Sequence, residues 1–137
     1  MTERPDAMDS PWKTLAPADS HREYLALLSY LPLKTHWAIC RFLRFTLEIQ
    51  KQLRSTPGVL GYSLRAKPMS RNFWTLSAWE DEKALREFVV KLPHGEAMKA
   101  LTPRMGPTAF SRWKVPGSAL PLRWEDAMQR SQQGAQR

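Results

Sequence analysis

The sequence predicts an α+β domain with helices packed on one face of a four-stranded antiparallel sheet. Three observations carry that prediction. The stretch Phe73-Trp74-Thr75-Leu76-Ser77-Ala78-Trp79 interleaves aromatic and apolar residues with hydroxyls, as a strand does, and runs directly into the acids Glu80, Asp81 and Glu82. Those acids suit a helix N-terminus, where carboxylates meet the positive end of the helix dipole. Segments of period two and period 3.6 follow one another in the order β-α-β-β-α-β.

Taken along the chain, residues 1–21 form a proline-containing arm without periodicity, onto which Trp12 and Leu15 offer anchors. Glu23 to Leu31 is a short, almost continuous apolar run and is expected to be a buried strand ended by Pro32. Thr35 is placed to cap a long helix. Within it, Ile39, Phe42, Thr46, Ile49 and Leu53 recur at spacings of three and four, with Cys40, Leu43 and Leu47 beside them as a second buried stripe. Pro57-Gly58 stops that helix. Val59 to Lys67 reads as a strand with Leu60, Tyr62, Leu64 and Ala66 on one face and Val59, Gly61, Ser63, Arg65 and Lys67 on the other. A short link returns it to Phe73–Trp79, which makes an antiparallel hairpin. The helix from Asp81 buries Leu85, Phe88 and Val89 and is kinked or broken at Pro93, after which Ala97, Met98 and Leu101 continue the pattern. Thr108 to Val115 is the last strand. Residues 117–137 are an arm with a short helix carrying Trp124 and Met128. The ordered core is therefore 22–116, and its order is the ferredoxin-like one.

Composition narrows the functional classes. The chain has 137 residues, enough for one domain with a core. A single cysteine, Cys40, allows neither an internal disulfide nor a cysteine-rich metal site, and it is expected to be buried. The three histidines, His21, His36 and His94, have no metal-ligand spacing, so no metal is expected. No stretch is apolar enough for a signal peptide or a membrane span, and a cytoplasmic location is the expectation. The net charge of +8 raises the question of nucleic acid, and Ile49–Trp79 and Ala97–Trp124 each hold five basic residues and no acid. The basic residues never form a dense run, and Ser70–Thr75 lacks the glycine and spacing of an RNA-binding strand. Nucleic acid is therefore not the expected partner.

The β-α-β-β-α-β order, the Pro57-Gly58-Val59-Leu60-Gly61-Tyr62 approach to the second strand, the Thr75–Asp81 junction and the Leu92–Met98 break resemble the antibiotic-biosynthesis-monooxygenase-like family of the dimeric α/β-barrel superfamily. The resemblance covers roughly residues 22–116. It implies a ferredoxin-like domain that forms a dimeric α/β barrel by pairing open sheet faces. It also implies oxidation of a small, flat, apolar, oxygenated compound without a cofactor. A non-enzymatic ligand-binding or structural dimer is the alternative. In the haem-degrading branch of that family an asparagine on the first strand, a tryptophan ending the third and a histidine on the second helix form the site. Trp79 matches the tryptophan, but the only asparagine here, Asn72, lies in a turn.

Alternation puts Phe73, Thr75, Ser77 and Trp79 on one strand face and Trp74, Leu76 and Ala78 on the other. The first face looks to the helices. Small hydroxyl residues there leave volume for a pocket, with Trp79 as an aromatic wall and Phe42 and Phe88 as helix-borne neighbours. The same face also fits simple packing, with its hydroxyls bonded to backbone. The second face is expected to be apolar, open and covered by a second subunit, with Trp124 of the tail reaching across. The expected ligand contacts are Phe42, Phe73, Thr75, Ser77 and Phe88. A histidine with a pKa near neutrality can move a proton, so His94, with Trp79, is the catalytic candidate. Tyr62, Arg65 and Asn72 are further polar candidates, but Tyr62 and Arg65 cannot share a pocket on a regular strand.

Overall fold

A computed structural model describes residues 8–91 and 94–135, with the side chains of 94–97 and 132–135 outside the description. The predicted elements form with small shifts at their ends. The strands are β1 (Met8–Asp9), β2 (Lys13–Thr14), β3 (Glu23–Pro32), β4 (Val59–Lys67), β5 (Asn72–Trp79) and β6 (Ala109–Pro116). The helices are α1 (Trp37–Arg54), α2 (Glu82–Val90), α3 (His94–Leu101) and α4 (Trp124–Ala135).

The core strands lie in the order β4-β5-β3-β6, all antiparallel, which is the ferredoxin-like arrangement. Within one chain the sheet stays open. The expected four strands become six, because the N-terminal arm is not irregular throughout: β1 and β2 each pair with the outer edge of β4. An unpaired edge offers backbone donors and acceptors, and the arm satisfies them. Ser10 N–H reaches Leu64 O at 2.8 Å and Leu15 N–H reaches Leu60 O at 2.8 Å.

α1 is built as its periodicity requires, with Ala38, Phe42 and Leu53 buried. Two local expectations are corrected. The second stripe is on the outside: Cys40, Leu43 and Leu47 are exposed, because a helix lying on a sheet buries only the arc that faces it. Thr35 does not cap by its side chain; its carbonyl oxygen accepts from Ala38 N–H at 3.3 Å. α2 starts at the acidic run as expected, and Asp81 caps it by accepting from Ala84 N–H at 2.9 Å. It ends at Val90, and the chain starts a separate helix, α3, at His94. The tail helix is longer than expected and runs to Ala135.

β4 carries one irregularity that redistributes its side chains. Its register against β5 shifts between Val59 and Gly61. A bulge places an extra residue on one strand and breaks strict alternation. Val59 and Tyr62 therefore both pack with Trp79 and Leu53, whereas Leu60 packs on the opposite face with Leu76 and Ala78. The expected grouping of Leu60 with Tyr62 fails for this reason.

The far sheet face is the main departure from expectation. Leu76 and Ala78 are fully buried within a single chain. Both arms lie over them: Trp12 and Ala16 from the N-terminal arm, Leu120, Leu122, Trp124, Ala127 and Met128 from the C-terminal one. Ser63 and Arg65, which point to this face from β4, tie the arms down. Trp124 Nε1 donates to Ser63 Oγ at 2.9 Å, and Ser63 Oγ donates to Ser10 O at 2.7 Å. Arg65 binds Asp9 through Nε and Nη2 at 2.6 and 2.8 Å and lies 4.9 Å from the Trp124 ring centroid. The open apolar face expected to receive a second subunit is covered by the chain's own ends, and Trp124 packs on its own sheet.

Candidate functional site

The other sheet face and the helices do not meet everywhere. Between them lies a cavity of about 500 Å³, within the range of ordinary small-molecule sites. Its floor comes from the central strands: Leu27, Ser29 and Leu31 of β3, Thr75 and Ser77 of β5, Tyr62 and Leu64 of β4. Phe42, Phe45, Thr46, Ile49 and Leu53 of α1 form one wall, with Leu85, Phe88 and Val89 of α2 and Met98 and Leu101 of α3 forming the others. Ser29 and Thr75 are direct cross-strand partners, as are Tyr62 and Ser77. Ser29, Thr75 and Ser77 thus stand as short side chains where a packed sheet would carry leucine or valine, with the Tyr62 hydroxyl beside them. The void follows from the volume those three leave unfilled.

Trp79 closes one end. It is 2% exposed, and its ring lies 5.1 Å from that of Phe88 at 45°, a tilted aromatic contact. Its only polar group is engaged: Nε1 donates to Ser77 Oγ at 2.8 Å. Trp79 is therefore held rigid, and its indole has no proton donor left for a ligand. Thr46 is similarly committed, its hydroxyl donating to Phe42 O at 2.8 Å.

Tyr62 differs from both. It is 8% exposed and lines the cavity, and its hydroxyl has no hydrogen-bond partner among the described residues. Burial raises its pKa above the ordinary phenol value, while the charge of Arg54 pulls the other way. Removal from water disfavours the phenolate, so the group stays a neutral donor.

Of the expected contacts, the structure gathers Phe42, Thr75, Ser77, Trp79 and Phe88 around one cavity. Phe73 is not with them. It is 4% exposed and packs with Leu33, Leu101, Met105 and Phe42, its ring 4.5 Å from that of Phe42. It shares the strand face but sits beyond the cavity's end. His94 begins α3, one turn before the cavity-lining Met98; its side chain lies outside the described residues. Arg65 and Asn72 are away from the cavity: Arg65 holds the arms, and Asn72 accepts from the Tyr30 hydroxyl at 2.8 Å. His36 faces the β4–β5 turn, with Nε2 3.1 Å from Met69 O.

Ser29, Arg86, Phe110 and Arg112 are among the lining residues that the sequence reading does not single out. A signal for Tyr62 was present. In a hairpin closed by Lys67 and Asn72, paired residue numbers sum to a constant, and that sum sets Tyr62 opposite Ser77 and Leu64 opposite Thr75. The cavity mouth has no comparable signal, because it depends on where α2 lies relative to the β6 edge.

No group of three or more metal-ligating side chains gathers among the described residues. None of their helices is long and apolar enough to cross a membrane. No family model matches the chain, and no curated protein matches it by sequence. Solved structures do match. A candidate monooxygenase from Lactobacillus acidophilus NCFM superposes with a TM-score of 0.60 at 11% identity, covering 82% of this chain; the chain spans about half, 52%, of that protein's length. An antibiotic biosynthesis monooxygenase superposes at 0.59 and 18% identity, over 65% of this chain and 95% of that one. A variant of SnoaB, a cofactor-independent oxygenase from Streptomyces nogalater, gives 0.57 and 14% identity, over 72% and 97%. The chain has the ferredoxin-like fold of the antibiotic-biosynthesis-monooxygenase-like proteins.

Proposed function

We propose that this chain takes up a small, flat, apolar, oxygenated compound between its sheet and its helices and acts on it as a monooxygenase-like protein. The observation that carries this reading is the cavity beside Trp79, apolar on its walls and lined by hydroxyls on its floor. A flat body fits against Trp79 and Phe88, and the free Tyr62 hydroxyl donates to an oxygen of the ligand. The floor and walls given above all come from one chain.

The chemistry proposed is oxidation by molecular oxygen without a cofactor. A base removes a proton from an acidic CH₂ of the substrate, and the resulting carbanion is stabilised by the ligand's own conjugation. It then passes electrons to O₂. One oxygen atom ends in a new carbonyl and the other leaves as water, with two hydrogens removed from the substrate carbon. His94 is the proposed base, since the titratable residues among the described lining are Tyr62, Arg86 and Arg112. Phenol and guanidinium groups ordinarily carry their protons at neutral pH and do not serve as the base.

That same lack of a base in the described lining supports a second reading, a binding protein without chemistry. Oxygen uptake with anthrone-like and quinol substrates separates the two. Catalysis predicts uptake by the wild type that falls at least tenfold in His94→Ala. Equal rates in the two proteins contradict the role of His94, and no uptake with retained binding favours the carrier.

A further inference from the structure

The cavity opens to solvent on one side, and the residues there are charged in one sense. Among the lining residues, five are exposed: Arg86, Val89 and Val90 on α2, and Phe110 and Arg112 on the β6 edge. They define a mouth between that helix and that edge. Phe110 is 54% exposed, although it alternates with Arg112 onto the cavity face. Two guanidinium groups therefore flank an apolar opening.

The local charge balance is not closed. Glu82 is the carboxylate at this rim, one helical turn before Arg86. It is taken by Arg112, whose Nη1 donates to its two oxygens at 3.0 and 2.8 Å. A guanidinium has five N–H donors, so Arg112 keeps Nε and Nη2. Arg86 has no hydrogen-bond or ion-pair partner among the described residues. No acid lines the cavity among them. One uncompensated positive charge thus stands at the rim, with planar donor groups that match a carboxylate in bidentate fashion.

We propose that the cavity's ligand is an amphipathic acid, with its apolar body inside and its carboxylate held at the mouth by Arg86 and the free donors of Arg112. This rests on the reading of the cavity as a small-molecule site and adds the charge of the molecule and the direction in which it enters. The apolar end goes in first, toward Trp79, and the carboxylate stays at the wet rim, where it keeps part of its hydration. Val89, Val90 and Phe110 cover the body where it leaves the cavity. The rim is exposed, so the charge preference is screened by salt.

Two probes of nearly the same shape, one charged and one neutral, test this. Anthracene-2-carboxylate and anthracene-2-carboxamide are titrated calorimetrically into the full chain at low and at high salt. The expected result is at least tenfold tighter binding of the carboxylate at low salt, with the preference shrinking as salt rises and the carboxamide unaffected. Arg86→Gln, an exposed helix position whose folding is checked by circular dichroism, is expected to remove most of the preference and to leave carboxamide affinity within about twofold. Arg86→Lys is expected to restore part of it. Equal affinity for the two probes overturns the acid while leaving the cavity reading standing. A preference unchanged in Arg86→Gln overturns the assigned mouth. Binding of neither probe removes the cavity reading and this inference with it.

Discussion

At the scale of single residues, the site depends on which hydroxyl is bonded and which is free. Ser77 and Tyr62 face each other across the β4–β5 ladder and differ in this respect. Ser77 Oγ accepts from Trp79 Nε1, so Ser77→Ala leaves a buried indole N–H without a partner. The expected loss is about 1–3 kcal/mol, read as a lower urea midpoint at unchanged slope. Tyr62 has no such bond to lose, so Tyr62→Phe is expected to change stability little near neutral pH. Its effect lies in alkaline pH. The folded state raises the pKa of Tyr62 above the unfolded value by burial. Its contribution is therefore fully present below the ordinary phenol pKa and is lost as pH rises through the raised value. Tyr62→Phe should flatten the fall of stability above about pH 10, and an unchanged alkaline slope would show that Tyr62 titrates normally. The residue types of the floor were legible from the sequence, since Thr75, Ser77 and Trp79 follow from alternation alone. Phe73 shares their parity yet misses the cavity. Parity assigns a face, and it cannot say how far along that face a helix stops touching the sheet.

At the scale of elements, the decisive feature is the start of β4. Gly61 lets the Trp12 indole lie against the strand: a Cβ there would stand 2.5 Å from Trp12 Nε1. Gly61→Ala must push Trp12 away and with it the arm that carries β2. We expect roughly 1–3 kcal/mol of destabilisation from this overpacking. Hydrogen exchange should be faster over residues 13–16, with β5 left protected; unchanged exchange in the arm would mean that Trp12 is not seated on β4. The bulge between Val59 and Gly61 is what turns Val59 and Tyr62 to the same side. Bulges insert one residue and leave no mark in hydrophobic periodicity, so strict alternation misassigned Leu60. The helices were better specified. The acids at the start of α2 and Pro57-Gly58 as the stop of α1 are local signals that tertiary structure did not override. The outer stripe of α1, Cys40, Leu43 and Leu47, shows the reverse case. Apolar residues at helical spacing state which positions share a face, and only the packed layer decides whether that face is buried.

At the scale of the whole molecule, two sheet faces have two different fates. One carries the cavity, and the other is covered by arms that carry no regular pattern of their own. The arms' destination was hidden because a short strand such as β2 and a lone Trp124 gain their structure from the surface they land on. Their coverage makes a prediction about assembly. With Leu76 and Ala78 already buried and Arg65, Asp9, Ser63 and Trp124 interlocked, the full chain is expected to sediment at about its own mass, 15.8 kDa. A species of twice that mass that persists on dilution would show that the arms give way to, or are exchanged with, a second copy. The cavity face is tested by locating a neutral flat probe on the protein. A crystal structure or a set of intermolecular NOEs with bound anthracene-2-carboxamide is predicted to place the rings against Trp79, Phe88 and Thr75, above the Ser77 and Tyr62 hydroxyls. A probe that binds on another surface, or an empty cavity at saturating probe, would contradict the account.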